Sequence, residues 1–372
     1  MQATDFIDAL GTGFYAGVPD SKLRIFVDCL IKRFGINNHE HVIGANEGNC
    51  VALAAGYYLA TGHIPAVYLQ NSGIGNIVNP VVSLMHQKVY GIPCIFIIGW
   101  RGEPELHDEP QHIVQGRISQ RLLADLGIRT YILDNKTTAE DVKSIVEKNI
   151  DFFKIGGQIG FLVKKGAFQG EKNIYINTHI MLREQALAII LERIKDDWLV
   201  ATTGKTSREI YEIREKTNGS HDKDFLVVGS MGHASSIALG IALQHPEKRI
   251  WCIDGDGAAI MHMGSMAIIG SMKVQNIIHV LINNGAHESV GGHPTAGQSI
   301  NFLKIADACG YTQTMTADTE ETLRQCLSNI SDKGRVFLQV KTGIGARKDL
   351  GRPDVSLKQA GKIFSNTFKN DI

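Results

Sequence analysis

Two short turns hold the residues in this sequence best suited to chemistry. The apolar run RIWCID leads into Gly255-Asp256-Gly257, and the apolar run NIIHVLIN leads into Asn283-Asn284-Gly285-Ala286. Glycines let a backbone bend sharply and approach a phosphate closely, while a helix start offers free N–H groups and positive potential. A carboxylate at such a turn can hold a divalent cation that bridges a diphosphate. Residues 258–282 suffice for one helix and one strand, so the chain returns beside the first turn and offers an asparagine amide oxygen. Magnesium takes near-octahedral oxygen at about 2.0–2.1 Å, usually shared between a few protein oxygens and substrate phosphates. An Asp, an Asn and a loop carbonyl meet that demand. The plainer alternative is two ordinary strand-end turns, since Asp-Gly and Asn-Gly are common there.

Other ligand-binding patterns fail. Gly204-Lys205-Thr206 looks like the end of a P-loop, but the place of its first glycine is taken by Leu199. Gly11-Thr12-Gly13 follows a helical pattern rather than a strand. Gly73-Ile74-Gly75 does follow a strand, yet no acidic residue lies between Asn76 and Gly102 to bind a ribose, which argues against a nicotinamide cofactor. His107, Asp108, Glu109 and His112 lie close together, but neither a Cys partner nor an HExxH helix supports a metal cluster there.

The elements that must position these residues alternate along the chain. Strands are expected at 41–45, 64–70, 93–99, 128–133 and 159–164, then at 198–203, 225–229, 249–254, 277–283 and 336–342. Helical periodicity marks 47–60, 74–89, 113–126 and 138–150, then 181–195, 207–215, 232–243, 259–272, 301–309 and 320–330. The strands are nearly all-apolar rather than alternating, as in a parallel sheet covered by helices on both faces. The expected fold class is therefore α/β, with two doubly wound domains built on mostly parallel sheets. The polar stretch QGEKNIYINT separates them, giving domains at 1–170 and 179–372. In open α/β sheets ligands bind beyond the carboxyl ends of the strands, where the informative turns fall.

Composition agrees and excludes other classes. At roughly 150 residues per domain, 372 residues make about two domains. Lys+Arg 38 balances Asp+Glu 38, so there is no whole-protein basic field for nucleic acid or an anionic membrane. Apolar stretches such as IPCIFIIGW are far shorter than the roughly 20 residues needed to cross a bilayer. The N-terminal MQATDFIDAL lacks a basic region, so no secretory signal is expected. Six cysteines spread singly suit a reduced, cytoplasmic compartment.

The GDG and NN turns, at this spacing and each after a strand, resemble the signature of thiamine diphosphate (ThDP) enzymes. The resemblance implies ThDP and Mg²⁺ as cofactors, with Asp256, the Asn284 side chain and the Ala286 carbonyl as metal ligands. It places Gly255, Gly257 and Ala258, together with Gly204, Lys205 and Thr206, around the diphosphate. Domain 1–170 would be the pyrimidine-binding (PYR) domain and 179–372 the diphosphate-binding (PP) domain, with no middle domain. The segment HVIGANEGNCVALAAGYYLA looks like the family's strand and Ala-rich helix, making Glu47 the carboxylate that shares a proton with N1′ of the aminopyrimidine. Ser230 and Met231 match the turn whose bulky residue props the cofactor into its bent shape.

Four further segments, YAGVPDS (15–21), QNSGIGN (70–76), GWRG (99–102) and DEPQH (108–112), resemble the phosphonopyruvate and sulfopyruvate decarboxylase branch. The reaction so implied converts 3-phosphonopyruvate to phosphonoacetaldehyde and CO2. Sulfopyruvate decarboxylation, another 2-keto acid decarboxylase or carboligase, and a non-catalytic ThDP-binding protein are the alternatives. Such a substrate carries about three negative charges, so Ser21, Asn71, Ser72, Arg101, His112 and His287 are candidate substrate contacts. His112 is also a candidate proton donor, because an unperturbed imidazole titrates near physiological pH. The resemblance also implies a homodimer or homotetramer with the site at the subunit interface.

Overall fold

Strands that must bury both faces organise each half of the chain. The computed structural model describes residues 1–351 and 355–369; residues 352–354 and 370–372 of the second expected domain lie outside these. The chain divides into two compact units, Met1–Ile174 and Tyr175–Ile372, so the division falls inside the polar stretch.

The first unit contains β1 (Tyr15–Gly17), β2 (His41–Ile43), β3 (Ala66–Gln70), β4 (Cys94–Gly99), β5 (Arg129–Leu133) and β6 (Gln158–Val163). They form one parallel sheet in the order β2-β1-β3-β4-β6-β5. β4 and β6 are buried at every position, as central strands between helical layers must be. Phe6, Phe26, Tyr68, Ile97 and Phe161 are at the heart of this unit's core.

The second unit contains β7 (Trp198–Ala201), β8 (Asp224–Leu226), β9 (Ile250–Gly255), β10 (Asn276–Asn283), the short pair β11 (Ala286–His287) and β12 (His293–Pro294), then β13 (Gln313–Ala317) and β14 (Gly334–Lys341). Its main sheet is again parallel, in the order β13-β14-β10-β9-β7-β8, with β11 and β12 paired antiparallel beside it. Successive side chains leave opposite faces of a strand. Trp251 and Ile253 accordingly join a core with Leu187 and Leu338, while Cys252 joins another with Val200, Leu281 and Phe337.

Both sheets reverse direction of growth once: strands are added on either side of β1 in the first and of β7 in the second. The loops leaving β1, β3, β7 and β9 thus border the crevices where such sheets bind ligands. Among the described residues, no helix is long and apolar enough to cross a membrane.

Several elements differ from expectation for physical reasons. The helix expected over 74–89 runs only Ile74–Pro80 before a wider π turn at Val81–Met85. Pro80 has no N–H for the Asn76 carbonyl, and a side chain on Gly48 would come within 3.0 Å of that same oxygen. The helix expected over 259–272 starts already at Asp256 and breaks after Met261, resuming at Gly264, a residue about 1 kcal/mol worse than Ala inside a helix. β1 spans three residues and β13 is a half-buried edge strand, so neither carries a clear apolar run. The helices Arg24–Phe34 and Leu357–Asn366 are additional to those expected from sequence.

Candidate functional site

In the second unit, the register of the sheet joins the two turns. β9 and β10 pair in parallel with Ile282 beside Gly255, so both strands end at the same level. Asp256 opens the helix Asp256–Met261 and is buried. Its carboxylate accepts the hydroxyl of Thr295, and the backbone N–H groups of its own residue, Gly257 and Asn284 favour its charged form. These donors are all neutral, and burial pushes the Asp256 pKa up to about 6. An anion solvated in a dry pocket by neutral dipoles lacks a counter-charge, and a divalent cation would provide it.

The two asparagines divide the work of the second turn. Asn283 Nδ2 donates to the Gly297 carbonyl at 2.8 Å and its Oδ1 accepts from Gly285 N at 3.1 Å, which staples the turn to the loop beyond β12. Asn284 Oδ1 accepts from Ala286 N at 3.0 Å, and Asn284 Nδ2 donates to Glu288 Oε2 at 2.9 Å. The amide orientation is thereby fixed, with an Oδ1 lone pair left for a further partner. Glu288 also meets Arg183 at 2.6 Å and Lys205 at 3.0 Å. Burial opposes the Glu288 charge, but these two cations outweigh it and hold the carboxyl below its usual range.

The loops leaving β7 and β8 complete this half. Gly204, at φ +94°, lets the chain turn from β7 into the helix Lys205–Lys216, whose first residue is tied to Glu288. Thr203 Oγ1 donates to the Val228 carbonyl at 2.6 Å and links the two loops. Ser230 is exposed at φ +51°, and Met231 is half-buried. A Cβ built on Gly257 would stand 3.0 Å from the His287 ring and 3.4 Å from Met231 Cε, so both side chains converge over that glycine. His287 keeps part of its surface accessible. The protein packed around it, and secondarily His293, still push its pKa down to about 4. Ala258 is buried, and Ala286 pairs with Pro294 in the antiparallel ladder.

In the first unit, Glu47 opens the helix Glu47–Thr61 and is buried. Asn76 Nδ2 donates to Glu47 Oε2 at 2.7 Å, and a side chain on Gly73 would overlap the Glu47 carboxyl. The motif QNSGIGN thus aims one carboxylate. Asn71 is buried, and its Nδ2 donates to the Arg101 carbonyl at 2.8 Å and to Ser119 Oγ at 2.9 Å. Both its amide hydrogens are therefore taken up inside the protein, and the residue braces the loop after β4 rather than facing a solute. Ser72 Oγ accepts from Gln70 Nε2 at 2.5 Å.

Arg101 donates to both oxygens of Asp108 and, at 3.2 Å, to Ser21 Oγ. Asp108 also accepts the Gly102 and Glu109 N–H groups, and this environment, led by Arg101, holds it well below the usual carboxylate range. Much of the Arg101 charge is thus balanced before any substrate arrives. Burial, then the nearby Arg101 charge, lowers the His112 pKa to about 4. The structure thus departs from the expectation of an imidazole titrating near neutrality.

Residues 3–123 match the family "Thiamine pyrophosphate enzyme, N-terminal TPP binding domain", and residues 202–340 match "Thiamine pyrophosphate enzyme, C-terminal TPP binding domain". The phosphonopyruvate decarboxylase of Streptomyces viridochromogenes is 31% identical across 96% of this chain and 92% of its own. The chain belongs to the thiamine pyrophosphate enzyme family. The phosphonopyruvate decarboxylase of Streptomyces hygroscopicus is 29% identical over 96% of this chain and 91% of its own. The sulfopyruvate decarboxylase of Methanosarcina acetivorans is 28% identical over 74% of each. Thiamine diphosphate is accordingly this chain's cofactor, with a divalent metal of the kind typical of the family.

For a thiamine pyrophosphate enzyme, the structure adds contacts that the linear sequence does not reveal. Thr295, Glu288, Asn76 and Asp108 each touch a candidate site residue. Glu288 and Thr295 follow the NN turn closely in sequence, but nothing in their spacing announces the contact. Asn76 and Asp108 lay within resemblance segments, and their partners became visible only once the strands were paired.

Proposed function

We propose that this chain is a ThDP- and Mg²⁺-dependent decarboxylase that converts 3-phosphonopyruvate to phosphonoacetaldehyde and CO2. The observation that carries the reading is the β9–β10 register, which sets the end of the strand leading into the NN turn beside Gly255 and the buried Asp256, in a chain similar to phosphonopyruvate decarboxylases across both units. In this reading the first unit is the PYR domain and the second the PP domain. Asp256, Asn284 Oδ1 and the Ala286 carbonyl would hold the metal. Gly204, Lys205, Thr206, Gly255, Gly257 and Ala258 would line the diphosphate, with Ser230 and Met231 beneath the body of the cofactor.

Bound thiamine diphosphate supplies the sink for the electrons of the breaking carbon–carbon bond. Glu47, aimed by Asn76, would hold a proton at the aminopyrimidine N1′. Ser21, Ser72, Arg101 and His287 would meet the substrate's anionic groups, and Asn71 would steady the loop that carries Arg101. His112 would return a proton to the carbon that loses CO2. For that it must be protonated, and the negative charges of a phosphonate and a carboxylate beside the imidazole would raise its low pKa. An oligomer, either homodimer or homotetramer with the site at the subunit interface, is proposed with this activity. A cytoplasmic location is proposed too, in keeping with six free cysteines.

Sulfopyruvate decarboxylation is the second reading, since a sulfonate differs mainly in charge at the same anion-binding groups. The test supplies purified protein with ThDP, Mg²⁺ and phosphonopyruvate, sulfopyruvate or pyruvate in parallel, and follows CO2. Phosphonopyruvate is expected to react fastest; a faster sulfopyruvate reaction would transfer the assignment. Tight ThDP binding with no CO2 from any of them would leave a non-catalytic binder. Asp256→Ala is expected to abolish Mg²⁺-dependent ThDP uptake in calorimetry.

A further inference from the structure

Beneath the Asp256 turn lies a polar group that the proposed reaction does not use. Asp254 is fully buried on β9, and His279, equally buried, stands on β10 directly opposite Cys252. Asp254 Oδ1 accepts the Gly255 N–H at 2.9 Å, the first N–H of the GDG turn. On the other side, His279 Nδ1 is 3.0 Å from the Tyr311 hydroxyl. Between them, His279 Nε2 and Asp254 Oδ2 face each other at 3.6 Å, and neither atom has a hydrogen-bond partner. Leaving two such atoms unsatisfied in a dry core is costly, so something must join them.

A metal ion and a proton are the two candidates. Cys252 Sγ lies within 4.8 Å of a His279 ring nitrogen and of an Asp254 carboxylate oxygen and makes a third possible ligand. A structural transition-metal site, however, wants four tetrahedral ligands. Here the His279 ring packs edge-on against Phe337, with centroids 5.4 Å apart, and the surrounding core is formed by Val200, Leu281 and Phe302. A proton needs no fourth ligand. With the Tyr311 hydroxyl donating to Nδ1, the imidazole carries its hydrogen on Nε2, pointing at Asp254. A closure of well under 1 Å then makes an ordinary hydrogen bond.

We propose that Tyr311, His279 and Asp254 form a buried hydrogen-bonded column that sets the position of the Asp256 turn for its cation. Tyr311 fixes the tautomer, His279 steadies Asp254, and Asp254 holds the Gly255 N–H from which Asp256 projects. These are positioning residues: none touches cofactor or substrate. The column rests on the reading of Asp256 as a metal ligand.

Two substitutions separate the column from simple packing. In His279→Gln the amide nitrogen reaches the place of Nε2 and can still donate to Asp254. In His279→Asn the amide reaches only the place of Nδ1. Both lose the ring's contact with Phe337, so the two apo proteins should melt at similarly reduced temperatures. Calorimetric titration with ThDP and Mg²⁺ should show His279→Asn binding at least about tenfold more weakly than wild type, and His279→Gln within about threefold of it. Equal losses, or no loss in either, overturn the column, as does one equivalent of zinc or iron by elemental analysis. Should His279→Asn not fold, Tyr311→Phe carries the test, with about two- to fivefold weaker binding expected and unchanged binding overturning the proposal. Asp256→Ala is run alongside: if it binds normally, the metal-ligand reading itself fails, and the column with it.

Discussion

Glu47 and His112 show how the environment of one side chain decides the chemistry open to it. Glu47 is buried at a helix start with one amide donor, and the helix itself is capped by Asn46, which accepts from Asn49 N. Glu47→Gln is expected to bind ThDP nearly as well as wild type but to lose about a thousandfold in turnover, roughly 4 kcal/mol of transition-state stabilisation. Turnover within tenfold of wild type would exclude the proton-holding role. His112 makes a prediction about stability. Its pKa falls from 6.5 to about 4 on folding, because burial and Arg101 disfavour the imidazolium. Between those values the unfolded chain binds a proton that the folded chain does not, so stability is intact above about pH 6.5 and declines toward pH 4. The loss is on the order of 2–3 kcal/mol at most. His112→Gln should flatten the fall of melting temperature over that range in the ligand-free protein; an unchanged slope would contradict the low pKa.

At the scale of elements, the site is built from strand ends and from glycines that make room. The turn after β3 passes so close to the helix Glu47–Thr61 that Gly73 has no space for a side chain. Gly73 is not at positive φ, so Ala there would meet steric crowding alone, without backbone strain. Gly73→Ala is expected to displace the Glu47 carboxyl and to lower turnover by about one to two orders of magnitude, while ThDP affinity changes little; a misplacement near 1 Å is enough for such a loss. Near-normal turnover would mean that Glu47 can shift without consequence. The same scale explains what was legible beforehand. Nearly all-apolar runs such as those of β4 and β6 announce themselves, because a strand covered on both faces has no polar side to interrupt the pattern. β1 has three residues, too few for any period, and β13 is half-buried at an edge. The π turn after Pro80 depends on one missing N–H, which the apolar periodicity of 74–89 does not register.

Over the whole molecule, two sheets of the same kind are joined by a segment with little regular structure. Asn173 binds Asp28 of the first unit and Asn177 binds the carbonyls of Asn284 and Thr342 in the second, while Ile174, Ile176 and Ile180 stay exposed. Thermolysin, which cuts before bulky apolar residues, is expected to nick first between 174 and 180, giving two fragments by mass spectrometry. First cuts inside either sheet would contradict two separately packed units. The sequence by itself determined the fold class and the family to which the GDG and NN turns pointed, because each depends on local pattern or on short spacing along one chain. Only the tertiary structure decided that Asn71 braces a loop, that Asp108 balances Arg101, that Glu288 and Thr295 touch Asn284 and Asp256, and that His112 has a low pKa. Those outcomes depend on which strand ends lie side by side and how much water they exclude, and a linear spacing of residues carries neither quantity.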